Sequence, residues 1–185
     1  MAKKSEPAVA PGELICPPIV VEGEAVPWKT PTVTRYGTTF KDKTLVAWQL
    51  HVASCAHKVL DGAAPYDGPV SIQIIFVRKH PKTRKPGEFA DTRPDLDNLT
   101  KAVKDSLTGK AVAKLKVNKV AVGENFGRVL ADDNVAVHYR DTIKVYGDKD
   151  LTVIYLYALP RFLPPDHPAW EFVLTQDGSL GNMNL

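Results

Sequence analysis

The sequence predicts an α+β fold, a single small domain in which two main helices pack against a mixed β-sheet. Apolar residues recur at spacings of three and four over 42–60 and again over 96–107, as in helices with one buried face. They alternate over 70–78, and β-prone residues fill the runs 135–146 and 151–157. With 185 residues, 44% of them hydrophobic, the chain is long enough to bury such a core.

Composition and charge exclude several classes of protein. No apolar run approaches the roughly 20 residues of a membrane span, so we expect no membrane partner. Residues 1–7 carry positive charge but are followed by Pro, Gly and Glu rather than by the apolar core of a signal peptide. Cys16 and Cys55 form no CxxC pair, which favours small buried hydrophobic residues over zinc ligands. The sequence therefore predicts a cytoplasmic protein.

The first half of the chain is predicted to supply a strand, a helix and a second strand that packs one face against a helix. Residues 1–13, rich in Lys, Ala, Pro and Glu, form a flexible lead. Prolines interrupt the β-prone run 15–23, which favours an edge strand or a strand start over a central strand, and turn residues place 26–37 in a loop. Asp42 is the expected N-cap of the first helix. The buried face of that helix is predicted to contain Leu45, Trp48, Val52, Cys55 and Val59.

An acidic motif follows the strand predicted over 70–78. Residues 93–101 read Arg-Pro-Asp-Leu-Asp-Asn-Leu-Thr-Lys, with Asp95, Asp97 and Lys101 at the start of the second helix. We expect Asp97 to be the N-cap of this helix, whose positive end favours anions. Converging carboxylates make an oxygen-lined site of the kind that Mg²⁺ accepts, and a nearby lysine suits charge that develops on phosphate oxygens.

A second acidic pair, Asp132 and Asp133, lies downstream. It precedes the runs 135–146 and 151–157, which are predicted to form an antiparallel pair of strands. The two aspartates would lie at one end of this pair. Between the two motifs, residues 109–130 are predicted to be an inserted basic loop or hairpin, and 159–185 a C-terminal arm rich in proline and aromatic residues. Taken singly, both motifs also have a structural interpretation, because Asp97 and Lys101 have helix ion-pair spacing and Asp132–Asn134 has turn composition.

Net charge gives little information about nucleic acid, since 24 Lys and Arg nearly balance 21 Asp and Glu. Basic residues are nevertheless concentrated before the acidic motif. The candidates for contact with DNA phosphates are Lys29, Arg35, Lys41, Arg78, Lys79, Lys82, Arg84 and Lys85. Each could equally form part of a solvated surface, and Trp28, Tyr36 and Phe89 could stack on unpaired bases or pack in loops.

Residues 93–107 followed by the acidic pair resemble the central signature of the RusA family of Holliday junction resolvases. The resemblance extends more loosely to Val26-Pro27-Trp28-Lys29, to the first helix and to the predicted strands, so that a nuclease domain would span 14–158. The chain departs from the family pattern in the length of the segment 109–130. That length leaves open which of Asp132 and Asp133 faces a metal ion.

The resemblance implies a homodimer that uses Mg²⁺, with Mn²⁺ able to substitute, to nick two strands of a four-way DNA junction in recombination and repair. It implies catalytic roles for Asp95, Asp97, Lys101 and Asp133, with Asp95, Asp97, Asp133 and also Asp132 as candidate metal ligands. Its implied setting is the cytoplasm of a bacterial or phage-infected cell. Two other hypotheses stay open, a branched-DNA binding protein without nuclease activity and a structural or interaction protein.

Overall fold

The computed structural model describes residues 9–33, 35–37, 39–40, 42–109, 116–117, 120–121 and 126–164. In chain order its elements are β1 (Ile19–Glu22), β2 (Thr32–Val33), β3 (Thr39–Phe40), α1 (Lys43–Leu60), β4 (Val70–Lys79), α2 (Leu96–Leu107), β5 (Lys116–Val117), β6 (Val120–Ala121), a 3₁₀ turn (Asp133–Val135), β7 (Ala136–Gly147) and β8 (Leu151–Ala158). The predicted α+β class is confirmed, because the described residues form two helices and a four-stranded mixed sheet.

The main sheet has the strand order β1-β8-β4-β7. β8 is antiparallel to both of its neighbours, whereas β7 runs parallel to β4. β1 lies at one edge of the sheet. The prolines that precede it have no N–H to donate, which an edge position tolerates. The small pairs β2 with β3 and β5 with β6 are antiparallel.

One face of this sheet and the two helices enclose the core. The register aligns Ile19 with Ile154 and Ile154 with Ile74, so alternate residues of three strands point to the same side. The buried sheet residues on this side are Ile19, Val21, Val70, Ile72, Ile74, Phe76, Ile154 and Leu156. The helices contribute Leu45, Trp48, Val52, Ala56, Leu99, Ala102, Val103 and Leu107 to the same cluster.

The first helix begins and ends as its local sequence requires. The Asp42 carboxylate accepts hydrogen bonds from the backbone N–H groups of Thr44 and Leu45, at 2.8 and 3.0 Å, which confirms the predicted N-cap. At the other end Asp61 adopts the left-handed conformation with φ of 45° and stops the helix.

The antiparallel pair predicted from the runs 135–146 and 151–157 is wrong. β7 and β8 lie on opposite sides of β4, which pairs with both. The strand that separates them is strongly apolar, with Val70, Ile72 and Ile74 fully buried. A strand of this composition favours the centre of a sheet, and the short connection over 148–150 spans it at one end.

The segment 126–131, the return segment, passes the first helix and then reaches the second. Gly127 has a φ of +64° and approaches α1 so closely that a Cβ there would collide with the backbone of Ala53. The N–H groups of Val129 and Leu130 then donate to the Leu107 carbonyl at 2.8 and 3.1 Å. These hydrogen bonds bring the chain to the end of α2 just before the acidic pair.

The predicted domain boundaries fall partly outside the described residues. Most of the lead, much of 109–130 and residues 165–185 of the arm lie outside them, so those assignments stay predictions. The backbones of Gly12 and Glu13 hydrogen-bond to Ala158, so pairing with β8 begins before Leu14. No helix in the described ranges is long and apolar enough to cross a membrane.

Candidate active site

The acidic motif lies at the start of α2, and the helix begins two residues earlier than the sequence predicted. Asp95 occupies the N-cap position with extended backbone angles, and its carbonyl accepts the first helical hydrogen bond from Leu99 at 3.2 Å. The prediction that Asp97 is the N-cap is therefore wrong. Asp95 has the extended backbone that an N-cap requires, and its carbonyl accepts the first hydrogen bond of the helix. Asp97 consequently lies within the first turn, where the helix dipole stabilises a carboxylate.

The face of α2 that starts at Asp97 carries alternating charges. Lys101 follows one turn later, and Lys104 and Asp105 follow one turn after that. Residues three and four apart lie next to each other on a helix, so these side chains form one continuous charged stripe. The opposite stripe, with Leu99, Val103 and Leu107, is buried in the core. This division fixes the direction in which the charged side chains point.

Asp133, from the 3₁₀ turn before β7, faces this helix. Its backbone is positioned by the return segment, in which the N–H of Ala131 donates to Tyr66 and that of Leu130 to Leu107. Two residues of the following strand, Tyr139 and Thr142, lie on the same side. The acidic turn is therefore brought to α2 by backbone hydrogen bonds to Tyr66 and Leu107, which lie far from the turn in the sequence.

These two elements enclose a cleft of about 520 Å³. Its lining residues are Leu96, Asp97, Thr100, Lys101, Lys104, Asp105, Asp133, Tyr139 and Thr142. Three of the four predicted catalytic residues, Asp97, Lys101 and Asp133, thus meet in one cleft although they span 37 positions of the chain. Asp95, the fourth, is exposed at the helix start and does not line it.

The two members of the second acidic pair differ in their surroundings. The Asp132 carboxylate accepts a hydrogen bond from the backbone N–H of Asn134 at 3.0 Å and caps the 3₁₀ turn. Asp133 lines the cleft. Of the two, Asp133 is therefore the residue that lines the cleft beside α2.

The donor atoms of the cleft suit a hard divalent cation. Asp97, Asp105 and Asp133 offer carboxylates and Thr100 and Thr142 offer hydroxyls, without histidine or cysteine, which is the ligand chemistry of Mg²⁺ rather than of zinc. In the described residues, however, no three histidine, cysteine, aspartate or glutamate side chains lie close enough together to hold a metal ion. The predicted ligands share a region of the surface without forming a closed coordination site.

Each lysine of the cleft lies over an aromatic ring. The Lys101 ammonium is 3.4 Å from the centroid of the Trp28 ring, and the Lys104 ammonium is 5.7 Å from that of Tyr139. Both distances fall within the range of about 6 Å at which a ring face attracts a cation. The two lysines are therefore held by rings from different segments of the chain.

The turn that leads into Asp95 is held by two cations. The Lys144 ammonium, from β7, donates to the Pro94 carbonyl at 2.8 Å and also to the Thr92 carbonyl. The Arg78 guanidinium, from β4, donates to Thr92 and to the Arg93 carbonyl and approaches Glu24. Arg78, predicted as a DNA-binding residue, is thus placed where it supports the acidic motif.

Two other predicted DNA-binding residues have carboxylate partners. Lys29 pairs with Asp42 at 2.9 Å, and the hydrogen bond from its ammonium lowers the pKa of that carboxyl below its ordinary value, with a further contribution from the Leu45 N–H. Arg84 pairs with Asp91 at 3.2 Å and with Glu88 at 3.5 Å. These exposed pairs stabilise loops by small amounts and leave the cations accessible to solvent.

The remaining predicted DNA-binding residues lie on exposed segments. Arg35 lies 4.7 Å over the ring of its neighbour Tyr36. Lys79, Lys82 and Lys85 are exposed at the end of β4 and in the turn that follows. Lys41 lies outside the described residues. The structure thus brings a group of cations together beyond the end of β4, although none of the described candidates lines the cleft.

Sequence reasoning did not assign several residues of the site as the structure presents it, among them Lys104, Tyr139, Thr142 and Lys144. Lys104 was detectable, because it lies seven residues after Asp97 and so returns to the same helical face. Tyr139, Thr142 and Lys144 carry no local signal, since they reach the motif only through the pairing of β7 with β4. Trp28 also carries no local signal, since its approach to Lys101 depends on the hydrogen bond from its N–H to the Asn98 carbonyl of α2.

A family model described as "Endodeoxyribonuclease RusA" matches residues 22–121, which is more than half of the chain. The matched region contains both helices and the motif with Asp95, Asp97 and Lys101. It ends before the acidic pair that contributes Asp133. A comparison with curated proteins finds no match.

Proposed function

Because the chain belongs to the RusA family of endodeoxyribonucleases, we propose that it cuts four-way DNA junctions with the help of a divalent metal ion. The proposed reaction is a pair of symmetric nicks, made by a homodimer during recombination and repair. Mg²⁺ is the proposed ion, and Mn²⁺ is expected to substitute for it. Asp95, Asp97, Lys101 and Asp133 are the proposed catalytic residues.

The observation that carries this proposal is the cleft between α2 and the turn before β7. Asp97 and Lys101 enter it from the helix, and Asp133 enters it from the opposite side. An ordinary helix ion pair and an ordinary acidic turn would have no reason to face one another across the fold. Their convergence, in a chain of this family, favours a catalytic site over two separate structural features.

The charges of the cleft support dependence on a cation. Three carboxylates, Asp97, Asp105 and Asp133, line the cleft together with the two ammonium groups of Lys101 and Lys104. A phosphodiester would be repelled by the carboxylates unless positive charge were added between them and its oxygens. Asp97 and Asp133 would hold the ion from within the cleft and Asp95 from the N-cap position of α2, and Asp132, whose oxygen caps the turn, is the weaker candidate.

Bound there, the ion would supply an activated water and stabilise charge on the non-bridging phosphate oxygens. The protein's own contribution begins with Lys101, whose ammonium at the cleft can donate to a phosphate oxygen as its negative charge grows. Lys104, one turn further along α2, offers a second ammonium to the same phosphate or its neighbour. The buried stripe of α2 keeps both stems on a rigid element, which favours catalysis by precise orientation.

The symmetry of the substrate supports the proposed homodimer, which the family resemblance implies. A four-way junction has approximate two-fold symmetry, and a two-fold dimer would present one cleft to each of two opposed strands. The exposed cations Lys79, Lys82 and Lys85 are proposed to contact phosphates away from the cut. Such contacts position DNA without reading its sequence.

The decisive experiment compares a four-way junction, a fork, a flap and linear duplex, each with Mg²⁺, with Mn²⁺ and without metal. We expect symmetric nicks in the junction only when metal is present. Asp97→Asn and Asp133→Asn should abolish the nicks while binding persists. Asp148→Asn, an exposed aspartate in the turn before β8, is the matched control and should cut normally.

Three outcomes would contradict the proposal in different ways. Tight, salt-sensitive junction binding without products in either metal would instead identify a branched-DNA binding protein that lacks nuclease activity. Equal, weak binding to all four DNAs would remove the junction as substrate. Full cleavage by the Asp133→Asn variant would refute the proposed assignment of the cleft while leaving the family membership intact.

A further inference from the structure

Trp28 makes the shortest cation–ring contact in the described part of the chain, and it makes it with Lys101. The ammonium lies 3.4 Å from the ring centroid, against 4.6 Å for Arg140 over Tyr157 and 4.7 Å for Arg35 over Tyr36. Trp is the aromatic side chain that attracts cations most strongly. The lysine that enters the cleft is thus paired with the ring best suited to hold it.

The ring itself is fixed in three ways. The backbone N–H of Trp28 donates to the Asn98 carbonyl of α2 at 2.8 Å, three residues before Lys101. The Trp28 side chain is half-buried and packs against the core cluster. The next residue, Lys29, pairs with Asp42 at the start of α1. The segment therefore bridges the starts of both helices and places the Trp28 ring beside Lys101.

A fixed ring has a clear consequence for an exposed lysine. Lysine has a flexible four-carbon stem and a strongly hydrated ammonium, so an unrestrained Lys101 would sample many positions around the cleft. A ring face that attracts the ammonium narrows this distribution before any substrate arrives. Orientation established in advance lowers the entropy that the reaction must lose in reaching its transition state.

We propose that Trp28 is a positioning residue that holds the Lys101 ammonium at the mouth of the cleft through its aromatic face. The inference rests on the proposed function, because it concerns how Lys101 serves phosphodiester cleavage. Trp28 acts through Lys101 and needs no contact with the reacting atoms. Loss of the ring should therefore lower kcat more than it lowers DNA affinity. The effect depends on the π face of the ring rather than on the size of the side chain.

The test compares Trp28→Phe with Trp28→Leu. Both substitutions shorten the side chain and keep it apolar, but only phenylalanine retains a ring face. We expect Trp28→Leu to lower kcat for junction cleavage by about threefold to thirtyfold, the range that corresponds to measured cation–π energies, with a small change in KM. Trp28→Phe should retain most of the wild-type kcat. Thermal unfolding of both variants identifies any decrease that is due to misfolding alone.

A double-mutant cycle separates action through Lys101 from direct contact with DNA. In a Lys101→Gln background the ammonium is absent, so Trp28→Leu should cause no further decrease in kcat. An additional decrease of the same size as in the wild type would overturn the proposal and indicate that the ring itself contacts DNA.

A measurement without DNA tests the ring–ammonium contact on its own. In a protein with ¹³C-labelled lysine, the Lys101 ε-methylene protons should be shifted upfield by the ring current of Trp28, and the shift should vanish in Trp28→Leu. The Lys101→Gln variant assigns the signal. An unshifted Lys101 signal, or a Trp28→Leu variant with wild-type kcat, would overturn the role of Trp28. A wild-type protein that cuts no branched DNA would instead overturn the proposed function.

Discussion

At the scale of single residues, Asp132 and Asp133 are adjacent in sequence but differ in what their carboxylates face. Asp132 caps the 3₁₀ turn through the Asn134 N–H, and Asp133 faces α2 across the cleft. A cap needs only an oxygen acceptor, which asparagine also provides. A cation site needs negative charge, which asparagine lacks.

This difference predicts opposite results for the same substitution at neighbouring positions. Asp132→Asn should keep the turn and most of the junction cleavage, whereas Asp133→Asn should reduce cleavage below detection. Cleavage rates in Mg²⁺ and thermal unfolding of both variants check the prediction. If Asp132→Asn were the inactive variant and Asp133→Asn the active one, the assignment of the two residues would have to be exchanged.

Lys144 acts at the same scale on the turn before Asp95. Its ammonium donates to the carbonyls of Thr92 and Pro94, and both acceptors lie within three residues of the first proposed catalytic aspartate. The side chain is half-buried, so these bonds order the turn more firmly than an exposed pair would. We infer that Lys144 fixes the approach of the chain to α2.

Removing this ammonium should slow cleavage without unfolding the protein. Lys144→Met keeps the aliphatic stem but removes the ammonium. The resulting displacement of Asp95 should lower the rate of junction cleavage by up to about 100-fold, the loss that a 1 Å misplacement can cause. Amide hydrogen exchange over 92–95 should become faster. Lys149→Met, which removes an exposed ammonium paired with Glu22, is the control and should leave both measurements unchanged. Unchanged exchange in Lys144→Met would contradict the inferred role.

At the scale of elements, the start of α1 is a capped and paired terminus. Asp42 caps the helix with its Oδ1 and receives the Lys29 ammonium on its Oδ2. Both interactions favour the ionised carboxylate, so the pKa of Asp42 is lower in the folded protein than in the unfolded chain. A group of this kind stabilises the fold above its unfolded pKa and no longer does so as the pH falls through its folded pKa.

Two substitutions at Asp42 distinguish the stability that comes from the helix cap from the stability that comes from the charge. Asp42→Asn keeps an acceptor for the Thr44 N–H but cannot ionise, and Asp42→Ala removes both functions. We expect Asp42→Ala to be the less stable variant at pH 7. The difference in stability between wild type and Asp42→Asn should shrink as the pH falls through the lowered pKa. Urea unfolding from neutral pH into acid measures this, and a difference that grows in acid would contradict the assigned sign.

At the scale of the whole molecule, the exposed cations and the carboxylates of the cleft are separated. The carboxylates lie between α2 and the turn before β7, whereas Lys79, Lys82 and Lys85 are exposed beyond the end of β4. A net charge of +3 hides this arrangement. Separation of this kind lets a polyanion bind by its backbone at one region while another region acts on a single phosphate.

Removal of the exposed charge should weaken binding to every DNA alike. The double variant Lys82→Gln, Lys85→Gln should reduce the slope of log K against log salt by about 0.9 for each phosphate that is no longer neutralised. The specificity for junctions should stay unchanged. Lys58→Gln with Lys149→Gln removes the same charge elsewhere and should keep the wild-type slope. Equal slopes for the two double variants would show that Lys82 and Lys85 do not bind phosphates.

The sequence by itself determined the helices, the strand after the first helix and the acidic motif, because hydrophobic period and capping residues are local properties. Asp42, the stripe from Leu45 and the motif over 93–101 needed no distant neighbour to be interpreted. Only the tertiary structure decided that β4 separates β7 from β8, that Asp133 rather than Asp132 faces the helix, and that Trp28 lies against Lys101. Those features arise from pairing and packing between residues far apart in the chain, and no local periodicity encodes them.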